Sequence, residues 1–396
     1  MLSLDEALDR VLGVAVPLPA ESCAVADAYN HVLAEDVHSP FDLPSFDHSA
    51  MDGYAVASTD FAGAPPFELA VRGESRAGHP APVLERGSAC RIFTGAPLPD
   101  GADAVVLQEN VERSGERVTF SSRPKPHDHV RRRGEDMQQG ACALGKGARL
   151  GAYELGLLAA LDRDQVKVTR RPRVAIICTG DELRSPGEPG APGTIPESNG
   201  PAIAALARAA GATVPSRERV GDEREALARA LGAAAANSDV VVTVGGASVG
   251  DHDLLRVALA DAGASVDFWK VRIKPGKPFL LGALGGARVL GLPGNPVSAQ
   301  LTFVLFGVTL LRALQGDVDA RPRRIKVELG AALQQKPGRL GLYRARLEGN
   351  VAWPQSQQAS GSTVSLAHAD VAVIVPEDSE GLAAGASAEA IVLPRP

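Results

Sequence analysis

Several kinds of residue and segment are scarce in this chain, and each scarcity excludes something. It has four cysteines among 396 residues, Cys23, Cys90, Cys142 and Cys178, scattered singly and without a C-x-x-C pair. So low a density excludes a disulfide scaffold, and these residues read as reduced, mostly buried thiols of a cytoplasmic protein. Excess positive charge is also missing: the formal net charge is -6, which gives no reason to expect general binding to nucleic acid or to a membrane surface. No uninterrupted apolar run reaches the roughly 18 residues that a membrane span needs. The longest candidate, Ala299 to Leu314, carries Gln300, Gly307 and Arg312 and reads as a buried helix. The opening MLSLDEALDRVLG has acidic residues where a secretion signal would be positive. There is no repeat of fixed period and no extended disordered tract.

What is present is a globular composition, 45% hydrophobic and 22% charged, on a chain too long for one ordinary core. Ser3 and Glu6 make a capping box ahead of a helical stripe of Leu4, Ala7, Leu8, Val11 and Leu12. From Pro40 to Asp136, short apolar runs such as Phe67 to Val71, Cys90 to Phe93, Ala104 to Gln108 and Arg117 to Phe120 alternate with turn residues, which predicts a small β-rich domain. Ala152 to Leu161 has helical spacing, and Gln165 to Thr169 reads as a strand. Past Arg170-Arg171-Pro172 the pattern becomes strand, helix, strand, helix as far as the Val297 to Leu314 helix, which argues for a mostly parallel sheet wrapped by helices. After Arg321-Pro322-Arg323-Arg324 the period returns to two, with Ile325 to Leu329, Leu342 to Leu347, Val371 to Val375 and Ala388 to Leu393 as strands of a compact β domain. The expected segments are 1–40 with 137–168, 41–136, 169–318 and 319–396.

Two apparent motifs fail on chemistry. GACALGK at 140–146 begins like a P-loop, but Gly147 stands where Ser or Thr must hold magnesium, and no apolar strand leads into it. His127-Asp128-His129 lies in a loop rich in Pro and Arg, and a lone H-x-H is weak grounds for zinc.

The strand-to-loop junctions of the α/β segment are more informative. Val174 to Cys178 leads to Thr179-Gly180-Asp181-Glu182, and Val240 to Val244 leads to Gly245-Gly246, Ser248, Gly250 and Asp253. Leu290 to Leu292 leads to Pro293-Gly294-Asn295-Pro296, and Asp222 follows the second strand. In an open α/β sheet ligands bind beyond the carboxyl ends of the strands, so Gly245 to Gly250 reads as a cradle for a phosphate-bearing ligand. Each junction has a plain alternative reading in helix capping or turn geometry. If Glu182, Asp222 and Asp253 converge, two carboxylates about 5 Å apart repel by roughly 3 kcal/mol at an effective dielectric of 20. Such a cluster calls for a cation or for shifted pKa values, and a hard ion such as Mg²⁺ is the natural answer beside phosphates. Then comes FWKVRIKPGKP; read as a strand, it puts Lys270, Arg272 and Lys274 on one face, a cationic row suited to an oxyanion.

GGASVGDHD, TGDEL, IKPGKP and GLPGNPVS, together with PSFDHSAMDGYAV at 44–56, RIFTGAPLP at 91–99 and RRRGED at 131–136, resemble in order and interval the molybdopterin molybdenumtransferases. The resemblance covers nearly the whole chain. It implies a multidomain α/β and β protein, with a central mostly parallel α/β domain, a mixed N-terminal domain, an inserted β-rich domain and a small barrel-like C-terminal domain. It implies insertion of molybdate into adenylylated molybdopterin with release of AMP, Mg²⁺ as cofactor, and a homodimer in which Asp52 and Thr94 of one subunit face the α/β site of the other. By matching position it implies catalytic roles for Asp52, Asp136, Glu182, Asp222, Asp253, Lys270 and Lys274, with Glu182, Asp222 and Asp253 as candidate metal ligands. Thr94, Gly245, Gly246, Ser248, Gly250, Pro293, Asn295, Pro296 and Arg344 are the implied ligand contacts. His48 stands where the family commonly has Asn, and Asp251 beside Asp253 leaves two aspartates for one position.

Overall fold

A computed structural model describes residues 1–245 and 254–394. The chain divides into two compact units, one formed by residues 1–35, 146–155 and 165–396, the other by 36–145 and 156–164.

The first unit is built on a six-stranded sheet in the order Thr213–Val220, Arg173–Thr179, Val240–Val244, Ala287–Leu292, Leu280–Leu284, Ser265–Trp269. The first four are parallel and only Leu280–Leu284 runs antiparallel to both its neighbours, so the mostly parallel sheet expected from sequence is present. Its central strands are continuous apolar runs because both faces are covered. Val174, Ile176, Val240, Val242 and Val244 pack on one side with helix Asn199–Ala209 and the helical run Pro296–Leu314. Ala175, Ile177 and Val241 pack on the other with helices Arg224–Asn237 and Leu254–Asp261. The long helical run Pro296–Leu314 is apolar enough by length and composition to cross a membrane, but 78% of its apolar window is buried inside the protein. It changes to π-helical winding over Phe303–Gly307. The N-terminal helix Leu4–Gly13 joins the same core through Leu4, Ala7, Leu8 and Val11, and its capping box between Ser3 and Glu6 is closed in both directions.

The sheet corrects one expectation. The FWKVRIK stretch is not one strand: Ser265–Trp269 ends at Lys270, whose φ is +105°, and only Ile273–Lys274 resumes extended pairing. That short strand pairs with Leu340–Glu348 of the C-terminal region, not with the α/β sheet. Lys270, Arg272 and Lys274 therefore do not form one cationic face, because a backbone turned at Lys270 breaks the alternation on which that reading depended.

In the C-terminal region strands Arg324–Leu329, Leu340–Glu348, Val351–Pro354, Val371–Val375 and Ser387–Val392 close on themselves through the pairing of Leu340–Glu348 with Val371–Val375. This five-stranded barrel is filled by Val327, Leu329, Ala345, Val371, Val373 and Ala390. The second unit holds another six-stranded sheet, in the order Ala104–Leu107, Gly53–Val56, Ser88–Ile92, Phe67–Ser75, Arg117–Phe120, Val111–Ser114. Its apolar face includes Phe61, set edge-on to Phe67 and Phe120 at centroid distances of 5.2 and 5.1 Å.

Candidate functional site

At the carboxyl ends of the parallel strands lies a cleft of about 910 Å³. Its walls include Thr179, Gly180 and Glu182 after one strand, Asp222 and Arg224 after the next, Gly245 after the third, and Gly294, Asn295 and Pro296 after the fourth. The local sequence explains how the chains meet there. Gly245 has φ +94°, and a Cβ on it would collide with the carbonyl oxygen of Thr179 and lie 2.9 Å from its Oγ1. Gly180 has φ +147°, and a Cβ there would run into the Glu182 carboxylate. Only glycine lets these neighbouring strand ends approach so closely. Asp181 accepts the Asp222 N–H at 3.0 Å and so ties the first two loops together. Pro296 opens its helix at the first turn, where a missing N–H costs nothing.

Glu182 and Asp222 thus face one space, and among the described residues neither carboxylate has an ion-pair partner. Arg224, which lines the same cleft, is paired with Asp261. Two exposed oxygen-donor groups without a resident cation suit a hard divalent ion such as Mg²⁺. Gly246, Ser248, Gly250 and Asp253 lie outside the described residues. Pro293 is buried beneath the cleft and is not among its wall residues. The Cys178 thiol also lines the cleft, but burial, followed by the neighbouring Glu197 carboxylate, pushes its pKa up to about 12, so it is an inert thiol.

A second cleft, of about 570 Å³, has the opposite character. Lys274, Lys277 and Arg339 line it with Ser298, Tyr343, Gln358 and Ser360. The turn that presents the two lysines packs tightly: Gly276 has φ +109°, and a Cβ there would strike Thr302. Tyr343 donates its hydroxyl to the Gln334 carbonyl at 3.0 Å, and burial pushes its pKa up, which keeps it neutral. The two clefts share a helix, for Pro296 borders the first and Ser298 the second. Lys277 and Arg339 were not singled out as site residues by sequence. The spacing of IKPGK was the available signal for Lys277, whereas Arg339 comes from the barrel, and nothing local marks it.

Two other expected site residues lie outside both cleft walls among the described residues. Arg344 is fully buried; its Nε donates to Ser365 Oγ at 2.9 Å and its Nη2 to the Gln357 and Ala359 carbonyls at 3.0 and 3.1 Å, while Nη1 has no hydrogen-bond partner among the described residues. It pins the 355–361 loop, whose Gln358, Ala359 and Ser360 wall the second cleft, and contacts no ligand space itself. Lys270 lines neither cleft among the described residues; its ammonium sits 4.7 Å from the Trp269 ring centroid, and Arg272 pairs with Glu377 at 3.3 Å.

In the second unit Asp52 accepts hydrogen bonds from the Thr94 N–H and Oγ1–H, both at 2.8 Å. The Thr94 backbone bond, followed by the hydroxyl bond, holds the Asp52 carboxyl below the usual range and keeps it ionised. Asp136 is paired with Arg131 at 2.5 Å.

Residues 2–161 match the family model described as the MoeA N-terminal region (domain I and II). Residues 175–313 match that of a probable molybdopterin binding domain, and 326–393 that of the MoeA C-terminal region (domain IV). The chain is 39% identical to the molybdopterin molybdenumtransferase of Haemophilus influenzae over 87% of this chain and 85% of that one. It is 38% identical to molybdopterin molybdenumtransferase 2 of Mycobacterium tuberculosis, over 91% and 92% of the two chains. A crystal structure of the molybdopterin biosynthesis moeA protein from Pyrococcus horikoshii superimposes with a TM-score of 0.86 at 29% identity, covering 99% of this chain and 100% of that one. The chain belongs to the molybdopterin molybdenumtransferase (MoeA) family and carries that family's matched regions in order along its length.

Proposed function

We infer that this protein inserts molybdate into adenylylated molybdopterin and releases AMP, completing the molybdenum cofactor. The observation that carries this reading is the pair of clefts on one helix start, one lined by carboxylates and ending at a glycine, the other lined by three cations and three hydroxyl-bearing residues. Molybdate is an oxyanion, and Lys274, Lys277 and Arg339 attract it, while Ser298 and Ser360 can donate to its oxygens. In the first cleft Glu182 and Asp222 hold Mg²⁺, with Asp253 as the further candidate ligand. When bound, Mg²⁺ offsets the negative charge of the adenylate phosphate. The strand-end glycine Gly245 lets the ligand approach the backbone, and Gly246, Ser248 and Gly250 are the further contacts this reading assigns to it. Asn295 and Pro296 set the helix N-terminus toward that ligand.

The protein works as a homodimer in this reading, with Asp52, held ionised by Thr94, and Asp136 serving the site of the partner subunit. No nucleic acid or membrane takes part. The direct test supplies purified adenylylated molybdopterin with and without molybdate and follows AMP. Release that depends on molybdate is expected. Release indifferent to molybdate, or accumulation of adenylate from ATP and molybdopterin, would place the protein at a different step.

A further inference from the structure

The carboxylate-lined cleft contains buried polar atoms that have no partner among the described residues. Thr179 is 4% exposed, yet its Oγ1 has no hydrogen-bond partner among the described residues. The Oδ1 of Asn199 is likewise buried and unpartnered among them. Both residues line the cleft. A buried polar atom left without a partner costs on the order of 1–3 kcal/mol, so two along one wall require an explanation.

Their surroundings define what could satisfy them. Asn199 Nδ2 donates to the Gly294 carbonyl at 2.8 Å. That bond fixes which way the amide faces, so Oδ1 can only accept. The Glu197 carboxylate, 8% exposed and on the same wall, already accepts the Gly200 N–H at 2.6 Å. Asn199 Oδ1 and the Glu197 carboxylate can only accept, so a phosphate oxygen beside them would be repelled, while the Thr179 hydroxyl can accept from a ligand N–H or donate to a ring nitrogen. Close by, Leu183, Ile195, Pro196 and Val257 give the cleft an apolar surface, with Ile195 and Val257 53% and 41% exposed. Acceptors at an edge and an apolar face beside them suit a planar heteroaromatic ring bearing amino or ring N–H groups.

We propose that Thr179 and Asn199 are binding residues that read the N–H-bearing edge of a ligand ring in this cleft. The inference rests on the proposed function, whose substrate carries two such rings, an adenine and a pterin. The shared chemistry is the amino-bearing edge, and the experiment separates its two sources.

Thr179→Val keeps the shape and removes only the unpartnered hydroxyl. The ligand-free variant should melt at the wild-type temperature or above it, because a buried unsatisfied group has gone. Its KM for adenylylated molybdopterin should rise about tenfold with kcat changed less than about threefold, the size expected when one hydrogen bond to the ligand is lost. Asn199→Ala should shift KM in the same direction. Binding of AMP and of molybdopterin, each measured alone, requires no turnover. A loss confined to AMP assigns the wall to the adenine, and one confined to molybdopterin assigns it to the pterin. Wild-type affinity of both variants for both compounds overturns the inference, and wild-type AMP release alongside that result leaves the proposed function standing. Absence of AMP release by the wild-type protein overturns the proposed function, while the two binding measurements still decide the role of the wall.

Discussion

Lys274 stands exposed at the basic cleft, and no described carboxylate lies within ion-pair distance of it. Lys274→Ala should lower molybdate-dependent AMP release about a hundredfold, the scale of losing one oxyanion stabiliser. Unfolding by urea should change by less than about 0.5 kcal/mol, since the side chain packs no core. Near-normal turnover would remove Lys274 from the mechanism. Asp222 offers its own check: Asp222→Asn should move the Mg²⁺ activation curve to about tenfold higher concentration, and an unmoved curve would leave it only a loop residue. The strand-end motifs made legible that Glu182 and Asp222 lie at one sheet edge, and the structure places both in the wall of one cleft. The burial of Arg344 was not legible, because sequence does not reveal that its Nε and Nη2 hold Ser365 and the Gln357 and Ala359 carbonyls. Thr179 lies in a strand-end motif but its role was not marked there, and Asn199 gave no sequence signal, for what distinguishes both is a missing partner.

The elements are set by a few close approaches. Gly245 ends its strand at φ +94° against the Thr179 carbonyl, so Gly245→Ala should cost about 2 kcal/mol or more in a urea melt and impair turnover as well. A fully stable, active variant would contradict the packing. Asp239, just before the Val240–Val244 strand, accepts from Arg170 at 2.9 Å twice and from the Arg173 N–H at 2.7 Å. Burial pushes its pKa up, but the bonds from Arg170 and Arg173 prevail and hold it lowered to about 2, against 3.8 ordinarily. A carboxyl depressed in the folded state contributes stability above its unfolded pKa and loses it as pH falls through its folded one. About 2 kcal/mol should therefore disappear between about pH 4 and pH 2. Asp239→Asn should be less stable at neutral pH and show a shallower acid decline; parallel acid curves for the two proteins would refute this. Strands 173–179 and 240–244 were legible as apolar runs because both sheet faces bury them. The 265–274 stretch was not, because one left-handed residue, Lys270, divides it between a sheet edge and the barrel.

For the whole molecule, the proposed homodimer makes a quantitative demand. Asp52→Asn and Lys274→Ala should each be nearly inactive alone. If Asp52 of one subunit serves the site of its partner, mixed dimers contain one intact site, and randomly exchanged subunits should recover about a quarter of wild-type activity. No recovery after verified exchange would show that each chain works with its own Asp52. The amino-acid sequence by itself determined the α/β alternation, the capping box at Ser3, the β character of both flanking regions and the order of the motifs. These depend on local periodicity and turn chemistry, which each short segment carries alone. Tertiary structure decided that strands 324–329, 340–348, 351–354, 371–375 and 387–392 close into a barrel, and that Arg339 from the barrel joins Lys274 and Lys277. It also decided that Arg344 is a buried pin and that Thr179 and Asn199 share a wall. Those outcomes depend on which distant backbones pair and which polar atoms are left without partners, and no local pattern encodes either.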